Sequence, residues 1–233
     1  TMQAVILAGG KGTRLKPYTT VLPKPLMPVG DCPILEIVVK QLKNNGFKKL
    51  TLAIGHQKDL FMAFFGNGEK WGISIDYYIE KEPLGTAAPI RHIADLDDAF
   101  LMMNGDILTD INYRKLFSLH RANSADLTIA THKRRQDVNY GTLEFDENRL
   151  LTKFSEKPSY EFNVSMGIYI LSRQIVSYIP EEGCFDFPDL VHRVLAAGKK
   201  IYCHPYDGYW MDIGRPDDYE QAIEDYDKIK DFL

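Results

Sequence analysis

The sequence predicts a doubly wound α/β fold, in which helices cover both faces of a mostly parallel β-sheet. Short apolar segments of strand length recur along the chain, and segments with helical spacing lie between them. Alternation of this kind is typical of parallel sheets covered by helices. The 233 residues, of which 45% are hydrophobic and 26% charged, are enough to form a sizeable core.

The strand candidates are short, apolar and evenly distributed along the chain. We expect each to contribute one strand to a single sheet, because short apolar runs between turn signals are typical of buried strands. They are residues 4–8, 49–55, 74–80, 100–106, 126–131 and 165–171.

The helix candidates show apolar residues at helical spacing and recognisable ends. Asn45 and Gly46 end the first candidate, and Pro216 suits the first turn of the last one, which we expect to close the domain. The candidates are residues 34–46, 56–68, 85–96, 111–123, 187–200 and 213–233.

Residues 142–158 depart from this alternation and read as a β-hairpin with its turn near residues 146–148. An antiparallel insertion at the sheet edge would explain the pattern. The prediction is therefore a Rossmann-like α/β sheet, doubly wound and mostly parallel, with helices on both faces and a small antiparallel β-hairpin insertion.

Composition excludes several functions. The net charge of −4 argues against general nucleic-acid binding, and no apolar run approaches the ~18 residues of a membrane span. Cys32, Cys184 and Cys203 are widely spaced and form neither a zinc pattern nor a disulfide framework. We expect a cytoplasmic protein with no nucleic-acid or membrane partner.

The loop after the first strand is rich in glycine and purely basic. Gly9, Gly10 and Gly12 allow tight turns and let backbone N–H groups approach an anion. Arg14 adds a fork of donors suited to phosphate oxygens, and residues 1–30 contain no acidic side chain. Ligands of open parallel sheets bind beyond the carboxyl ends of the strands, so this loop is predicted to hold phosphates.

Two common phosphate-binding loops do not fit this stretch. It lacks the GxxxxGK[ST] spacing of a P-loop. Leu15 stands where the dinucleotide fingerprint requires its third glycine. A basic surface turn with no ligand remains an alternative reading of the loop taken alone.

A series of motifs along nearly the whole chain resembles the sugar-1-phosphate nucleotidyltransferases. It begins with "LAGGKGTRLKPYT" and "LPKPLMPVGDCPILE". "EPLGTAAPI", "NGDIL", "NYGTLEF", "FSEKPS", "SMGIYILS" and "GYWMDIGRPDDY" follow in order. Within the family the chain looks most like mannose-1-phosphate or heptose-1-phosphate guanylyltransferases. The resemblance implies a single nucleotidyltransferase domain over residues 1–233, without the C-terminal β-helix domain of longer relatives.

The resemblance implies an enzyme that makes an NDP-sugar and pyrophosphate from an NTP and a sugar 1-phosphate, with Mg²⁺. GTP is favoured, with a product of the GDP-mannose or GDP-heptose type. A uridylyl-, cytidylyl- or thymidylyltransferase remains an alternative, as does a non-catalytic regulatory subunit that binds sugar nucleotides. A homodimer is a further expectation.

The resemblance also assigns residues to the chemistry. Arg14 and Lys24 are the expected catalytic cations, and both lie in polar loops, so we expect them to add little to the core. Asp106 and Asp212 are the expected metal ligands, since carboxylate oxygens suit Mg²⁺.

The remaining expected contacts are to the two substrates. Ser165 stands where relatives often carry Asn, which suggests a different sugar or a water-mediated contact. The nucleotide-binding residues are Leu7, Ala8, Gly9, Gly10, Gly12, Thr13, Gly85 and Thr86. The sugar-phosphate-binding residues are Asp106, Tyr140, Gly141, Glu156, Lys157 and Ser165.

Overall fold

The computed structural model describes residues 2–10, 12–55 and 57–231. The helices are α1 (Ile34–Asn44), α2 (Lys58–Phe65), α3 (Tyr113–Ala122), α4 (Phe187–Ala196) and α5 (Pro216–Ile229). The strands are β1 (Met2–Leu7), β2 (Pro28–Val29), β3 (Cys32–Pro33), β4 (Phe47–Ile54), β5 (Ser74–Ile79), β6 (Ala99–Asn104), β7 (Ile107–Thr109), β8 (Leu127–Asp137), β9 (Thr142–Phe145), β10 (Leu151–Ser155), β11 (Ser159–Ser172), β12 (Ile201–Pro205) and β13 (Trp210–Asp212).

Seven strands form the central sheet in the order β12-β8-β11-β6-β1-β4-β5. Strand β11 runs antiparallel to both of its neighbours, β6 and β8. The other neighbouring pairs are parallel. The predicted doubly wound, mostly parallel sheet is therefore confirmed, with β11 as its antiparallel member.

Successive residues of the inner strands point to opposite faces, and both faces are covered. In β1, Ala4 and Ile6 pack into the core under α1, α2 and α3. Val5 points the other way, into the core under α4. Such two-sided burial explains why this strand reads as a continuous apolar run rather than an alternating one. A third apolar cluster, which includes Leu15 and Ile213, packs against α5.

The six predicted strands are present, but β12 was missed and β11 is longer than expected. Strand β12 lies at the edge of the sheet and its side chains are only partly buried, so its apolar signal is weak. The first half of β11 is mostly exposed and pairs with the end of β8 beyond the core. Hydrogen bonding along the backbone, and not burial, extends this strand.

The predicted helix over residues 85–96 is wrong, because this segment forms only a short 3₁₀ turn, Ala88–His92. Pro89 lies in its first turn. The backbone N–H groups of Ala87 and Ala88 both donate to the Phe185 carbonyl, each at 3.0 Å. These hydrogen bonds to a distant segment take the place of the first turn of the expected helix. Of the other predicted helical residues, His56, Phe232 and Leu233 lie outside the described residues.

The predicted hairpin is confirmed as β9 paired with β10. It does not extend from the sheet edge, as expected, but from the ends of β8 and β11, the second and third strands of the sheet. Among the described residues, no helix combines the length and the apolar character that crossing a membrane requires.

Candidate functional site

A cavity of about 430 Å³ lies beyond the carboxyl ends of β1 and β6, where a parallel sheet is expected to bind its ligand. All eight residues predicted to bind the nucleotide line it, together with Arg14, Lys24 and Asp106. The remaining lining residues are Leu15, Pro25, Glu80, Pro83, Asn104 and Gly214.

The glycine loop after β1 forms one wall of this first cavity. Its carbonyl at Gly12 accepts hydrogen bonds from the Leu15 N–H at 3.0 Å and from the Thr19 hydroxyl at 2.7 Å. Leu15 is fully buried and anchors the loop, while its neighbour Arg14 is exposed. The loop is therefore fixed at its base and presents the guanidinium to the cavity.

Glu80 contributes a carboxylate to the lining of the same cavity, directly after β5. Its Oε2 accepts a hydrogen bond from the Leu84 N–H at 3.2 Å. Its Oε1 lies 2.7 Å from the position that a Cβ on Gly9 would occupy, so the carboxylate packs directly against the glycine loop. Burial raises the pKa of the Glu80 carboxyl, against the effect of the Leu84 hydrogen bond.

The turn at Gly85 and Thr86 is fixed to the start of α4. Asp186 Oδ1 accepts hydrogen bonds from the Thr86 N–H at 2.9 Å and from its hydroxyl at 3.2 Å. The Thr86 hydroxyl oxygen in turn accepts from the Phe187 N–H at 2.8 Å. Gly85 has φ of 88°, and a Cβ there would lie 2.7 Å from the Phe185 carbonyl oxygen. The turn thus requires glycine and is held in a single place.

Lys24 is buried and forms an ion pair with Asp106. It begins a 3₁₀ turn that follows Pro23, and only 9% of its side chain is exposed. The expectation that this lysine contributes little to the interior is wrong. The chain enters the core at Pro25 and Leu26, and this carries Lys24 inward with its ammonium group directed at a carboxylate.

A small two-stranded sheet brings Asp212 next to Asp106. Strands β7 and β13 pair so that Asp212 lies opposite Ile107, and the Ile213 N–H donates to the Asp106 carbonyl at 3.2 Å. Burial raises the pKa of the Asp212 carboxyl, and the Asp106 charge raises it further, whereas Lys24 and Arg14 lower it. The two carboxylates and the two cations therefore act on one another electrostatically.

The two carboxylates fit a magnesium ion that shares its other ligands with phosphates. Asp106 Oδ1 is buried and has no hydrogen-bond partner among the described residues, so one carboxylate oxygen is available. Within the described part of the chain there is no cluster of three His, Cys, Asp or Glu side chains suited to a metal. Mg²⁺ is commonly held by one or two carboxylates together with substrate phosphates, and this donor set matches.

A second cavity, of about 600 Å³, adjoins the first and shares Leu7, Thr86 and Asn104 with it. Ser165 lines this second cavity. Its hydroxyl oxygen accepts from the Gly167 N–H at 3.2 Å and lies 2.9 Å from the Tyr169 hydroxyl. Both hydrogen-bond partners of the Ser165 hydroxyl therefore belong to β11, the strand that carries this serine.

The other residues predicted to bind the sugar phosphate gather at the base of the hairpin. Tyr140, Gly141, Glu156 and Lys157 line neither cavity, and Tyr140 is 78% exposed. Glu156 Oε2 lies 3.2 Å from the position of a Cβ on Gly141, so the two motifs are adjacent. Their contact with a substrate stays a prediction.

The residues of the two cavities that the sequence interpretation missed include Glu80, Asn104, Asp186 and Gly214. Glu80 is the last residue of a predicted strand, just as Asp106 is, so the same reasoning about strand ends could have found it. Asp186 precedes a predicted helix and reads as an ordinary cap, and nothing in the sequence connects it to Thr86.

The fold and the site together define a nucleotide-binding α/β protein, in which a glycine loop, two cations and the Asp106 carboxylate line one cavity and Asp212 lies beside Asp106. Residues 3–229 match the family model described as nucleotidyl transferase, and the chain belongs to this family. The resemblance read from the motifs is thereby confirmed.

Three relatives illustrate the range of the family. The chain is 35% identical to the D-glycero-alpha-D-manno-heptose 1-phosphate guanylyltransferase of Aneurinibacillus thermoaerophilus, over 95% of this chain and 96% of that protein. It is 32% identical to a UTP–glucose-1-phosphate uridylyltransferase of Synechocystis, over 95% of this chain and 62% of that protein. The crystal structure of HddC from Yersinia pseudotuberculosis, complexed with GMP-PN, superposes with a TM-score of 0.76 at 27% identity, covering 97% of this chain and 100% of that one.

The chain spans about 62% of the length of several of the curated relatives it matches, including the Synechocystis protein. It spans nearly the full length of the heptose 1-phosphate guanylyltransferase.

Proposed function

We propose that the chain transfers a nucleotidyl group from a nucleoside triphosphate to a sugar 1-phosphate, forming an NDP-sugar and pyrophosphate. The observation that carries the proposal is that Arg14, Lys24 and Asp106 line the cavity of the glycine loop, and that Asp212 lies beside Asp106 and interacts electrostatically with all three. Transfer between two phosphate-bearing substrates needs cations and metal-binding carboxylates of this kind around a phosphate-binding loop.

In this reaction a phosphate oxygen of the sugar 1-phosphate attacks the α-phosphorus of the triphosphate. The bond from the α-phosphorus to the bridging oxygen breaks, and the electron pair leaves with pyrophosphate. The nucleophile is already an anion, so no side chain has to remove a proton. The task of the protein is to bring two anions together and to stabilise the charge that develops between them.

Lys24 and Arg14 supply that stabilisation. The Lys24 ammonium is held in place by Asp106 and by the 3₁₀ turn, so little entropy is lost when it meets the α-phosphate. Arg14 is exposed on the anchored loop, where its guanidinium can follow the triphosphate. Asp106 and Asp212 would hold Mg²⁺, which neutralises charge on the phosphate oxygens when bound.

The proposed triphosphate is GTP, and the lining of the first cavity supports this choice. Glu80 presents a carboxylate near the turn of Gly85 and Thr86. Guanine has two adjacent donors, the ring N–H and the exocyclic amine, and a carboxylate can accept from both. The guanylyltransferase relative supports the same choice.

Two alternatives stay open under the same chemistry. A uridylyl-, cytidylyl- or thymidylyltransferase would use the same cations and carboxylates, and the Synechocystis relative is named a uridylyltransferase. A non-catalytic regulatory subunit that binds sugar nucleotides is disfavoured, because Arg14, Lys24, Asp106 and Asp212 all stand in one site.

The sugar 1-phosphate is assigned to the second cavity, which meets the first at Leu7, Thr86 and Asn104. Tyr140, Gly141, Glu156 and Lys157 are proposed to contact the sugar phosphate from the hairpin. Residues 1–233 would act as one catalytic domain, in a homodimer, in the cytoplasm where nucleoside triphosphates are abundant.

The test is to incubate the protein with each of GTP, ATP, CTP, UTP and dTTP against a panel of sugar 1-phosphates, with Mg²⁺. Pyrophosphate release reports turnover, and mass spectrometry identifies the NDP-sugar. We expect a GDP-sugar to dominate. A dominant UDP- or dTDP-sugar would replace the base assignment. If no pair of substrates released pyrophosphate, the proposed reaction would be rejected.

A further inference from the structure

The walls of the second cavity are mostly apolar, although it adjoins a site for highly charged phosphates. Met102 of β6, Ile129 of β8 and Tyr169 of β11 form its floor along the sheet. Phe187 and Val191, one helical turn apart on α4, line it from the other side. The rings of Tyr169 and Phe187 have centroids 3.9 Å apart, so the two aromatic side chains form one continuous surface.

Most of the polar side chains around this cavity are already bonded to one another. Asp186 accepts two hydrogen bonds from Thr86, and the Thr86 hydroxyl accepts one from the backbone of α4. The Ser165 and Tyr169 hydroxyls lie within hydrogen-bond distance of each other. These groups serve to hold the walls together, which reduces their capacity for a ligand.

Asn104 and His192 are different, since neither side chain hydrogen bonds to the residues that the structure describes. Asn104 lines both cavities, so its amide lies where the two substrates would meet. A ligand therefore meets the Asn104 amide near the phosphate site, the His192 ring and the second carboxylate oxygen of Asp186 at the α4 side, and largely carbon atoms along the floor.

We propose that the second cavity selects a sugar 1-phosphate that carries a methyl group, over the corresponding sugar that lacks it. The methyl group can belong to a 6-deoxyhexose or to the acetyl group of an N-acetylhexosamine, because both bury the same apolar surface. A hydroxyl placed against the apolar surface of Met102, Ile129, Tyr169, Phe187 and Val191 would lose its hydrogen bonds to water without replacement. A methyl group in the same place would gain from burial. The inference rests on the proposed nucleotidyl transfer and names its second substrate.

Matched pairs of substrates test the selection. Mannose 1-phosphate is compared with 6-deoxymannose 1-phosphate, glucose 1-phosphate with 6-deoxyglucose 1-phosphate, and glucosamine 1-phosphate with N-acetylglucosamine 1-phosphate. In at least one pair we expect kcat/KM to favour the methyl-bearing sugar by about tenfold or more. Equal or lower values for the methyl-bearing sugar in every pair would overturn the inference, because the wall would then only stack on the pyranose ring.

A pair of matched variants tests whether the wall is responsible. Val191 and Val176 both pack, partly buried, against the same apolar cluster, but only Val191 lines the cavity. Val191→Thr keeps the shape and adds a hydroxyl, so the preference for the methyl-bearing sugar should fall about threefold or more. Val176→Thr should leave the preference unchanged. An equal change in both variants would assign the effect to helix packing and overturn the inference.

Direct binding separates this inference from the proposed function. The dissociation constant of each sugar 1-phosphate is measured by calorimetry in the presence of a non-hydrolysable GTP analogue. Tighter binding of the methyl-bearing sugar, weakened by Val191→Thr, supports the inference whether or not turnover occurs. Turnover and binding without such a preference would reject the inference and leave the proposed nucleotidyl transfer intact.

Discussion

Lys24 has two roles: it neutralises Asp106 in the ligand-free protein, and it faces the proposed phosphate site. Its side chain is 9% exposed and that of Asp106 is 21% exposed, so water compensates little for the loss of either charge. Arg14 belongs to the same electrostatic cluster but is exposed on its loop. Substitutions of the two cations should therefore differ in their effect on folding.

We expect Lys24→Met to lower both turnover and stability, and Arg14→Ala to lower turnover alone. Each change removes a cation from the developing phosphate charge, which is worth about 3 kcal/mol, or two decades in kcat. Lys24→Met also leaves Asp106 unpaired, at a cost of about 1–3 kcal/mol in unfolding free energy. Pre-steady-state kinetics and thermal unfolding measure the two effects. The double variant with Asp106→Asn should recover the melting temperature, and a Lys24→Met protein with normal stability would contradict this account.

Asp212 carries a small cost in stability, because partial desolvation and the nearby Asp106 raise the pKa of its carboxyl, while the exposure of the residue to water screens the effect. A raised pKa means that the folded protein retains a proton which the unfolded chain has released. Stability contributed by this group is therefore lost as the pH rises from about 3.8 through the raised pKa. Nucleotide and Mg²⁺ would compensate for that cost in the working enzyme.

Asp212→Asn should raise the melting temperature of the ligand-free protein at pH 7 and abolish most of its turnover. The stability gain should shrink as the pH is lowered towards the ordinary range of a carboxyl group, because both proteins are then uncharged at this position. Thermal unfolding between pH 4 and pH 8 provides the measurement. Asp207→Asn, an exposed carboxylate outside both cavities, is the control. A gain that is independent of pH would refute the electrostatic explanation.

Glu80→Gln should change the preferred base. The amide presents one acceptor and one donor, which match the ring N–H and a carbonyl of uracil or thymine instead of the two donors of guanine. We expect the ratio of kcat/KM for GTP over UTP or dTTP to fall about tenfold or more. Glu82→Gln, exposed and outside both cavities, is the matched control. An unchanged ratio in Glu80→Gln would mean that backbone groups alone select the base.

At the scale of elements, two pairings between distant segments build the site. Strand β13 pairs with β7 and places Asp212 beside Asp106. The start of α4 holds the turn at Gly85 and Thr86 through Asp186. Because the turn contributes to the first cavity and α4 to the second, this contact connects the two proposed substrate sites.

Asp186→Ala should loosen the turn and raise KM for the triphosphate about tenfold, with a smaller effect on kcat. The change removes two hydrogen bonds to Thr86, while the Phe187 N–H keeps its own acceptor. Initial-rate kinetics separate the two parameters. Asp189→Ala, an exposed acid in the first turn of the same helix, should leave both near their wild-type values. A loss confined to kcat would show that Asp186 acts on the chemical step instead.

At the scale of the whole molecule, the fold should be independent of the metal. The core clusters under the helices are apolar, and within the described residues no cluster of three ligating side chains offers a structural metal site. The proposed Mg²⁺ would be held together with the substrate phosphates and would therefore act only when nucleotide is bound.

EDTA should abolish turnover without lowering the melting temperature of the ligand-free protein. GTP with Mg²⁺ should raise that temperature by roughly 5–10 °C at a hundredfold excess over its dissociation constant. GTP with EDTA should raise it less. Differential scanning calorimetry and pyrophosphate release make the comparison. Turnover that persists in EDTA would remove Mg²⁺ from the mechanism, and unfolding by EDTA would give the metal a structural role.

The sequence by itself determined the alternation of strands and helices, the glycine loop and the identity of the charged residues. Apolar periodicity and glycine spacing are local properties, so they can be read in order along the chain. Arg14, Lys24 and Asp106, and the eight expected nucleotide contacts, all line one cavity as the motifs suggested. Where local signals were weak, as in the partly buried edge strand β12, the prediction failed.

Only the tertiary structure decided how distant residues act on one another. The burial of Lys24, the raised pKa of Asp212 and the contact of Asp186 with Thr86 all arise between segments far apart in the chain. The same holds for residues 85–96, where bonds to the Phe185 carbonyl replaced the expected helix. Local sequence fixes what each segment can form, whereas electrostatic fields and shared hydrogen bonds depend on distances that exist only once the chain has folded.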